Sequence, residues 1–156
     1  LTYMLSHGAD GLQKVAEDAV LSANYVLHEL KDDYNVAFEG SCMHECLFND
    51  KLQKADGVTT LDIAKALVEY GIHPMTVFFP LVTPGAMLIE PTETESKATI
   101  DDFIAKMKYI AKEVKEGRGE RYHEYPISTP RKRLDEVKAA KNPVLTWVEQ
   151  AAQEEV

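Results

Sequence analysis

The sequence is short of cysteine, of basic residues and of long apolar runs, and each shortage closes off a class of protein. Two cysteines are too few for a disulfide framework and suit a reducing cytoplasm. Lysine and arginine number 17 against 26 acidic residues, a net charge of −9 with a pI near 5.0, which argues against a broad nucleic-acid footprint. The longest uncharged apolar stretch, Met75 to Ile89, is 15 residues and is interrupted by Pro80, Pro84 and Gly85. A spanning helix needs about 20, so no membrane segment is expected. Phosphate-cradling glycine motifs and the G-x-S-x-G nucleophile elbow are also missing.

What remains, at 156 residues with 45% hydrophobic and 28% charged residues, is the size and balance of one globular domain. Leu1 is not a start methionine, and the opening LTYMLSHGADGL has no signal-peptide character, so the chain reads as a domain cut from a longer polypeptide. Apolar residues from Leu12 to Leu30 recur at three- and four-residue steps and predict a helix, its start loosened by Gly8 and Gly11. Strand-like runs follow at 35–38 and 43–49. Thr59 then caps a helix that Gly71 ends, with Asp62 only approximating a capping box. Two further strands, 76–79 and 87–89, bracket a proline-rich loop. Thr92 and Glu95 form a capping box for a long helix whose stripe runs from Ile100 to Val114 and ends at Gly117. Beyond an irregular polar stretch, a short helix is expected over 131–141, and Pro143 restarts a piece carrying Trp147. The fold class is α+β: a small, mainly antiparallel sheet with helices on one face. The expected organisation is a lead-in helix at 1–33, an α+β core at 34–117 and a basic extension at 118–156.

Chemistry-bearing residues are few. Strand alternation would put Cys42, His44 and Cys46 on one face, but the two sulfurs would then be roughly 13 Å apart, too far for a disulfide and awkward for one metal. His73 and Pro74 follow a helix stop, where a side chain either faces a cleft or sits in water. In the run I-E-P-T-E-T-E-S, capping accounts for Thr92 and Glu95, whereas Glu90, at the end of an apolar strand, is either solvent-exposed or aimed into a cleft. From Gly117 to Lys141 seven basic residues face four acidic ones; this local +3 leaves −12 for the remainder of a chain whose total is −9. Such a tail is a solvated face or a docking patch for an acidic partner. The residues by themselves describe a fragment without a self-sufficient active site.

Four stretches carry a family resemblance: CMHECLF (42–48), TTLDIAKALVEYGIHPMTVFFPL (59–81), GAMLIEPTETESKATIDDFI (85–104) and TPRKRLDEVKAAKNPVLTW (129–147). Together with LSANYVLHELK (21–31), they make the chain resemble the C-terminal small domain of glycine dehydrogenase (decarboxylating), the P-protein of the glycine cleavage system, in its second-subunit form. The resemblance implies a fold-type-I pyridoxal phosphate oxidoreductase of the cytoplasm. That enzyme decarboxylates glycine, releases CO2 and passes the aminomethyl group to the lipoyl arm of H-protein, with a first subunit completing a heterotetramer. It places the Schiff-base lysine and phosphate cup in a large domain outside this chain, so the fragment alone is expected to be inactive and free of cofactor. It puts His73, Pro74, Thr76, Glu90, Pro91, Thr92 and Glu93 at the active-site mouth and the lipoyl-arm path, with no residue assigned to bond chemistry. Arg131, Lys132 and Arg133 are the expected contacts for an acidic carrier, with no catalytic or metal residue in the fragment. The sequence departs from the family pattern at Cys46 and Pro84.

Two other classes stay open. One is the small domain of another fold-type-I enzyme, an aminotransferase or decarboxylase; these usually carry an arginine for the substrate carboxylate, and none occurs before Arg118. The other is a non-catalytic regulatory α+β domain.

Overall fold

A computed structural model describes residues 1–146, so the expected piece around Trp147 lies outside the described residues. The element order is α1 (Thr2–Leu30), β1 (Asn35–Val36), β2 (Cys46–Asn49), α2 (Lys51–Lys54), α3 (Thr60–Glu69), β3 (Thr76–Val77), β4 (Ala86–Ile89) and α4 (Lys97–Lys115). A 3-10 turn (Gly119–His123) and α5 (Glu136–Lys141) follow. The strands form one sheet in the order β1-β2-β4-β3, every neighbouring pair antiparallel. Cys46 lies opposite Ile89 and Phe48 opposite Met87, so these four side chains share one face. That face joins Val26 and Leu30 of α1, Ile63 and Leu67 of α3, and Ile104, Met107 and Ile110 of α4 in a single buried cluster. The helices thus form one layer over one face of the sheet, the α+β architecture read from the sequence.

Local competition for hydrogen bonds accounts for the differences from the expected boundaries. β2 begins at Cys46 rather than Met43 because the Asn24 side chain takes both backbone groups of Cys42: its amide donates to Cys42 O (2.7 Å), and Cys42 N–H donates to Asn24 Oδ1 (3.0 Å). Cys42 and His44 therefore lie outside any strand, and the one-face alternation expected for Cys42, His44 and Cys46 is not formed. Among the described residues no group of three or more His, Cys, Asp or Glu is placed to hold a metal. Thr59 and Asp62, which only approximate a capping box in sequence, make a complete one. Thr92 and Glu95, which match the box motif, do not: the Thr92 hydroxyl pairs with Thr94 (2.7 Å), and Ser96 caps α4 by accepting from Thr99 N–H (3.1 Å). With three hydroxyl residues in a row of candidates, the register that buries Ile100 and Ile104 decides which one caps. α1 begins ten residues before Leu12, with Gly8 as a break inside it (φ 65°, ψ −172°).

The expected 131–141 helix is reduced to α5 because Arg133 is drawn back onto the core. Its guanidinium donates to Asp62 Oδ1 (2.6 Å) and to the carbonyls of Tyr122 (2.8 Å) and Tyr125 (2.9 Å). Tyr122 is fully buried, and Glu69 accepts from the N–H groups of Ile127 (2.6 Å) and Ser128 (2.9 Å). The polar stretch after Gly117 is therefore bound down along α3 and α4 rather than trailing. Among the described residues no helix is long and apolar enough to cross a membrane.

Candidate functional site

The residues that frame the candidate site come from two strand exits. The helix α3 stops at Gly71 in a left-handed conformation (φ 76°), which turns the chain so that His73 and Pro74 precede β3. β4 ends at Ile89, and Glu90 and Pro91 leave the sheet beside them. Both exits open on a cavity of about 390 Å³. Its floor is apolar, from Val26, Ile72, Met75, Ile89, Ile100 and Phe103, and its remaining lining includes His73, Glu90, Glu95, Thr99 and Asp102. The volume and the mix of apolar wall with a few polar groups are those of a small-ligand cleft.

Of the residues expected at a mouth, His73, Pro74, Glu90 and Pro91 line this one cavity. Thr76 sits in the edge strand β3 with its side chain exposed, and Thr92 and Glu93 lie in the loop that continues the wall from Pro91. Glu90 is exposed and stands 3.7 Å from His44 Nε2, so it is both a strand-end carboxylate and part of the cleft. Glu93 accepts a 2.6 Å hydrogen bond from Tyr3, and that bond holds its carboxyl below the ordinary range. Asp102 is paired with Lys106 at 2.6 Å. The floor residues Val26, Ile100 and Phe103 carry no signal for this role in the sequence, where they belong to ordinary helix stripes.

The chemistry of the lining is acidic and apolar: Glu90, Glu95 and Asp102 contribute carboxylates, and no lysine or arginine is among the lining residues. That set does not fit pyridoxal phosphate, which needs a lysine for its aldehyde and donors or cations for its phosphate. The cavity can admit an uncharged or cationic chain and can orient it.

The basic tail divides into two kinds of residue. Arg118 and Arg121 pair with the buried Glu113, whose carboxyl they hold below its ordinary value, and Arg133 pairs with the buried Asp62. Arg131 and Lys132 are exposed. The cysteines also differ: burial pushes the Cys46 thiol up to about 12, while Cys42 is half-buried and raised less. One equivalent of a thiol reagent at neutral pH is therefore expected on Cys42, with Cys46 reacting only in denaturant; equal rates in the folded chain would contradict the packing of β2.

The family described as glycine dehydrogenase, C-terminal domain, matches residues 15–127. Among curated proteins, the probable glycine dehydrogenase (decarboxylating) subunit 2 of Caulobacter vibrioides is 58% identical over 96% of the chain and 29% of its own length. The proteins of the same description from Caldanaerobacter subterraneus subsp. tengcongensis and Bacillus thuringiensis are 49% and 50% identical, over 94% and 96% of the chain and 30% of their own lengths. The chain thus spans about three-tenths of the relatives it matches.

Proposed function

The chain belongs to the glycine dehydrogenase C-terminal domain family, and from that premise we propose that it is the C-terminal part of a decarboxylating glycine dehydrogenase whose cleft it helps to wall. The observation that supports this reading best is the convergence of His73, Pro74, Glu90 and Pro91 on one cavity within the matched residues. In the proposed enzyme, pyridoxal phosphate supplies the electron sink for glycine decarboxylation and is held by the rest of the longer polypeptide, since the acidic lining described above does not suit it. This domain binds and orients. His73, Pro74, Glu90 and Pro91, continued by Thr92 and Glu93 and flanked by Thr76, bound the path of the lipoyl arm carried by H-protein. Its apolar floor accepts the aliphatic part of the arm and excludes water around it. The partner subunit is the one implied by relatives described as subunit 2.

Arg131 and Lys132 are proposed to steer the acidic carrier, with the Arg133–Asp62 pair fixing the path of the tail from which they project. In the intact two-subunit enzyme, Arg131→Ser with Lys132→Ser is expected to raise the apparent KM for H-protein several-fold at low salt and to flatten its salt dependence. Such steering is screened over about 8 Å at physiological ionic strength. His73→Ala is expected to raise the same KM with the salt dependence kept, because it acts at short range. The KM for glycine should hardly move in either variant. Carrier kinetics identical to wild type in both variants would remove this domain from the carrier's path.

A further inference from the structure

A second cavity, of about 550 Å³, opens where the end of α1 and the short α2 meet the C-terminal half of α4. It shares no lining residue with the cavity of His73 and Glu90. Its two walls carry opposite charge. Asp32 and Asp33, which follow α1, and Asp56, which follows α2, form one wall. Lys108, Lys112 and Lys115 form the other, and their steps of four and three put them on one face of α4. The floor is apolar, from Leu52, Ala111 and Val114.

The opposed charges do not satisfy one another across the gap. Lys108 is taken by Glu29 (2.8 Å), and Lys112 reaches Glu116, on its own helix, at 4.0 Å. Among the described residues Asp32, Asp33, Asp56 and Lys115 have no ion-pair partner. Asp33 is nonetheless felt on the far wall: the Lys108 ammonium pKa is raised first by its Glu29 bond and also by the Asp33 charge. Gln53, 4% exposed, completes the lining. Its Nε2 donates to Asp33 O (2.7 Å), which settles the orientation of the amide, and its Oε1 then has no hydrogen-bond partner among the described residues. A buried acceptor in that state calls for a donor in the cavity.

We propose that this cavity binds a free α-amino acid with an apolar side chain. A zwitterion answers both walls at once. Its ammonium supplies N–H donors to Gln53 Oε1 and to the Asp33 and Asp56 carboxylates, and its carboxylate meets Lys112 and Lys115. A simple cation would face the lysines unpaired, and a simple anion the carboxylates. The apolar floor takes the side chain, and the volume exceeds what the two-carbon glycine fills, so the ligand is a larger amino acid.

Equilibrium dialysis of labelled L-leucine against the intact two-subunit enzyme, with hydrogen exchange on the same sample, tests the site. L-leucine is expected to be retained at millimolar concentration and to slow exchange several-fold in residues 51–57 and 108–115, with 86–89 unchanged. N-acetyl-L-leucine, which lacks the ammonium, and L-leucinamide, which lacks the carboxylate, should do neither. Asp56→Asn and Lys115→Gln, both at exposed residues, should each weaken retention several-fold at an unaltered melting temperature. Gln53→Met, which keeps the length of the side chain and drops the acceptor, should abolish retention. That variant also loses the Asp33 bond, so where it does not fold the two charge variants decide the outcome. Absence of retention, the result expected if water alone satisfies Gln53, overturns the site. Equal retention of all three compounds overturns the zwitterion. Exchange that slows only elsewhere, or retention unchanged in both charge variants, overturns its place in this cavity.

Discussion

Gly85→Ala is expected to lower the melting temperature of the chain by roughly 10 °C. Gly85 has φ 66°, where an alanine costs about 1–2 kcal/mol in backbone strain. Its added Cβ would also overlap the Asp50 carboxyl. Asp50 is 5% exposed and cannot swing into water, because its carboxylate accepts from Thr60 N–H (3.0 Å) at the start of α3. The same glycine's carbonyl accepts from the Thr60 hydroxyl (2.6 Å) and from Asp50 N–H (3.2 Å). Moving either backbone leaves a buried charge-assisted hydrogen bond unmade, at about 1.5–3 kcal/mol. The combined loss of about 3–5 kcal/mol corresponds to some 10 °C at the roughly 2–4 °C per kcal/mol of a chain this size. Gly57 is the control: its φ is 87°, and nothing stands within 4 Å of its would-be Cβ, so Gly57→Ala carries only the strain. Equal melting shifts for the two variants would show that the Asp50 contact contributes nothing.

That anchored base shapes the loop between β3 and β4. Phe78, itself at φ 58°, donates its N–H to Ala86 O (2.9 Å), and beyond it Phe79, Leu81 and Val82 are 56%, 88% and 81% exposed. The sequence marks this loop by its prolines but gives no sign of the buried Asp50–Thr60–Gly85 base. Its members are 10 and 25 positions apart and meet only because β2 pairs with β4.

The same division between local and distant information runs through the molecule. The stripes of α3 and α4 and the existence of four strands are periodic features, readable within a dozen residues. Sheet order is not periodic: β4 inserts between β2 and β3, which the strands' own composition does not encode. Helix starts were legible as a choice among caps; Ser96 prevails over Thr92 because the apolar stripe of α4 fixes the register. At the candidate site, His73, Pro74, Glu90 and Pro91 were reachable through family resemblance, whereas the floor from α1 and α4 depends on packing between helices far apart in sequence. Counting charge misled in one respect. The local excess of the tail treats all seven cations alike, yet Arg118, Arg121 and Arg133 are engaged with buried carboxylates, and a formal sum cannot tell a clamp from a free surface cation.

Asp62 is where that distinction should be largest. Its carboxylate, 5% exposed, caps α3 through the Thr59 N–H (2.9 Å) and hydroxyl (2.7 Å) and receives Arg133 (2.6 Å) and His123 Nδ1 (3.3 Å) on its other oxygen. Burial alone would raise its pKa, but the Thr59 bonds, followed by Arg133 and His123, outweigh burial and hold it below the ordinary value of 3.8. Asp62→Ala removes a capping box, about 1 kcal/mol, and strips the partner from a half-buried guanidinium, so a loss of about 3 kcal/mol is expected. Asp62→Asn keeps an acceptor for Thr59 and should lose about half as much. Because the folded pKa is depressed, the stabilisation is complete above the ordinary value and disappears as pH falls through the lower, folded one. Glu113, also depressed by Arg118, adds to the effect in the same direction. Wild-type stability should therefore be flat from neutral pH down to about 5 and fall steeply below 4, with the fall shallower in Asp62→Ala. Limited proteolysis gives the structural counterpart. Cleavage within residues 124–134 should speed up in Asp62→Ala well before the core unfolds, since Arg133 then has only the carbonyls of Tyr122 and Tyr125 to hold the tail. A variant with wild-type proteolysis and an unchanged acid limb would show that the tail is held without Asp62, by the carbonyls of Tyr122 and Tyr125 and by the Glu69 bonds to Ile127 and Ser128.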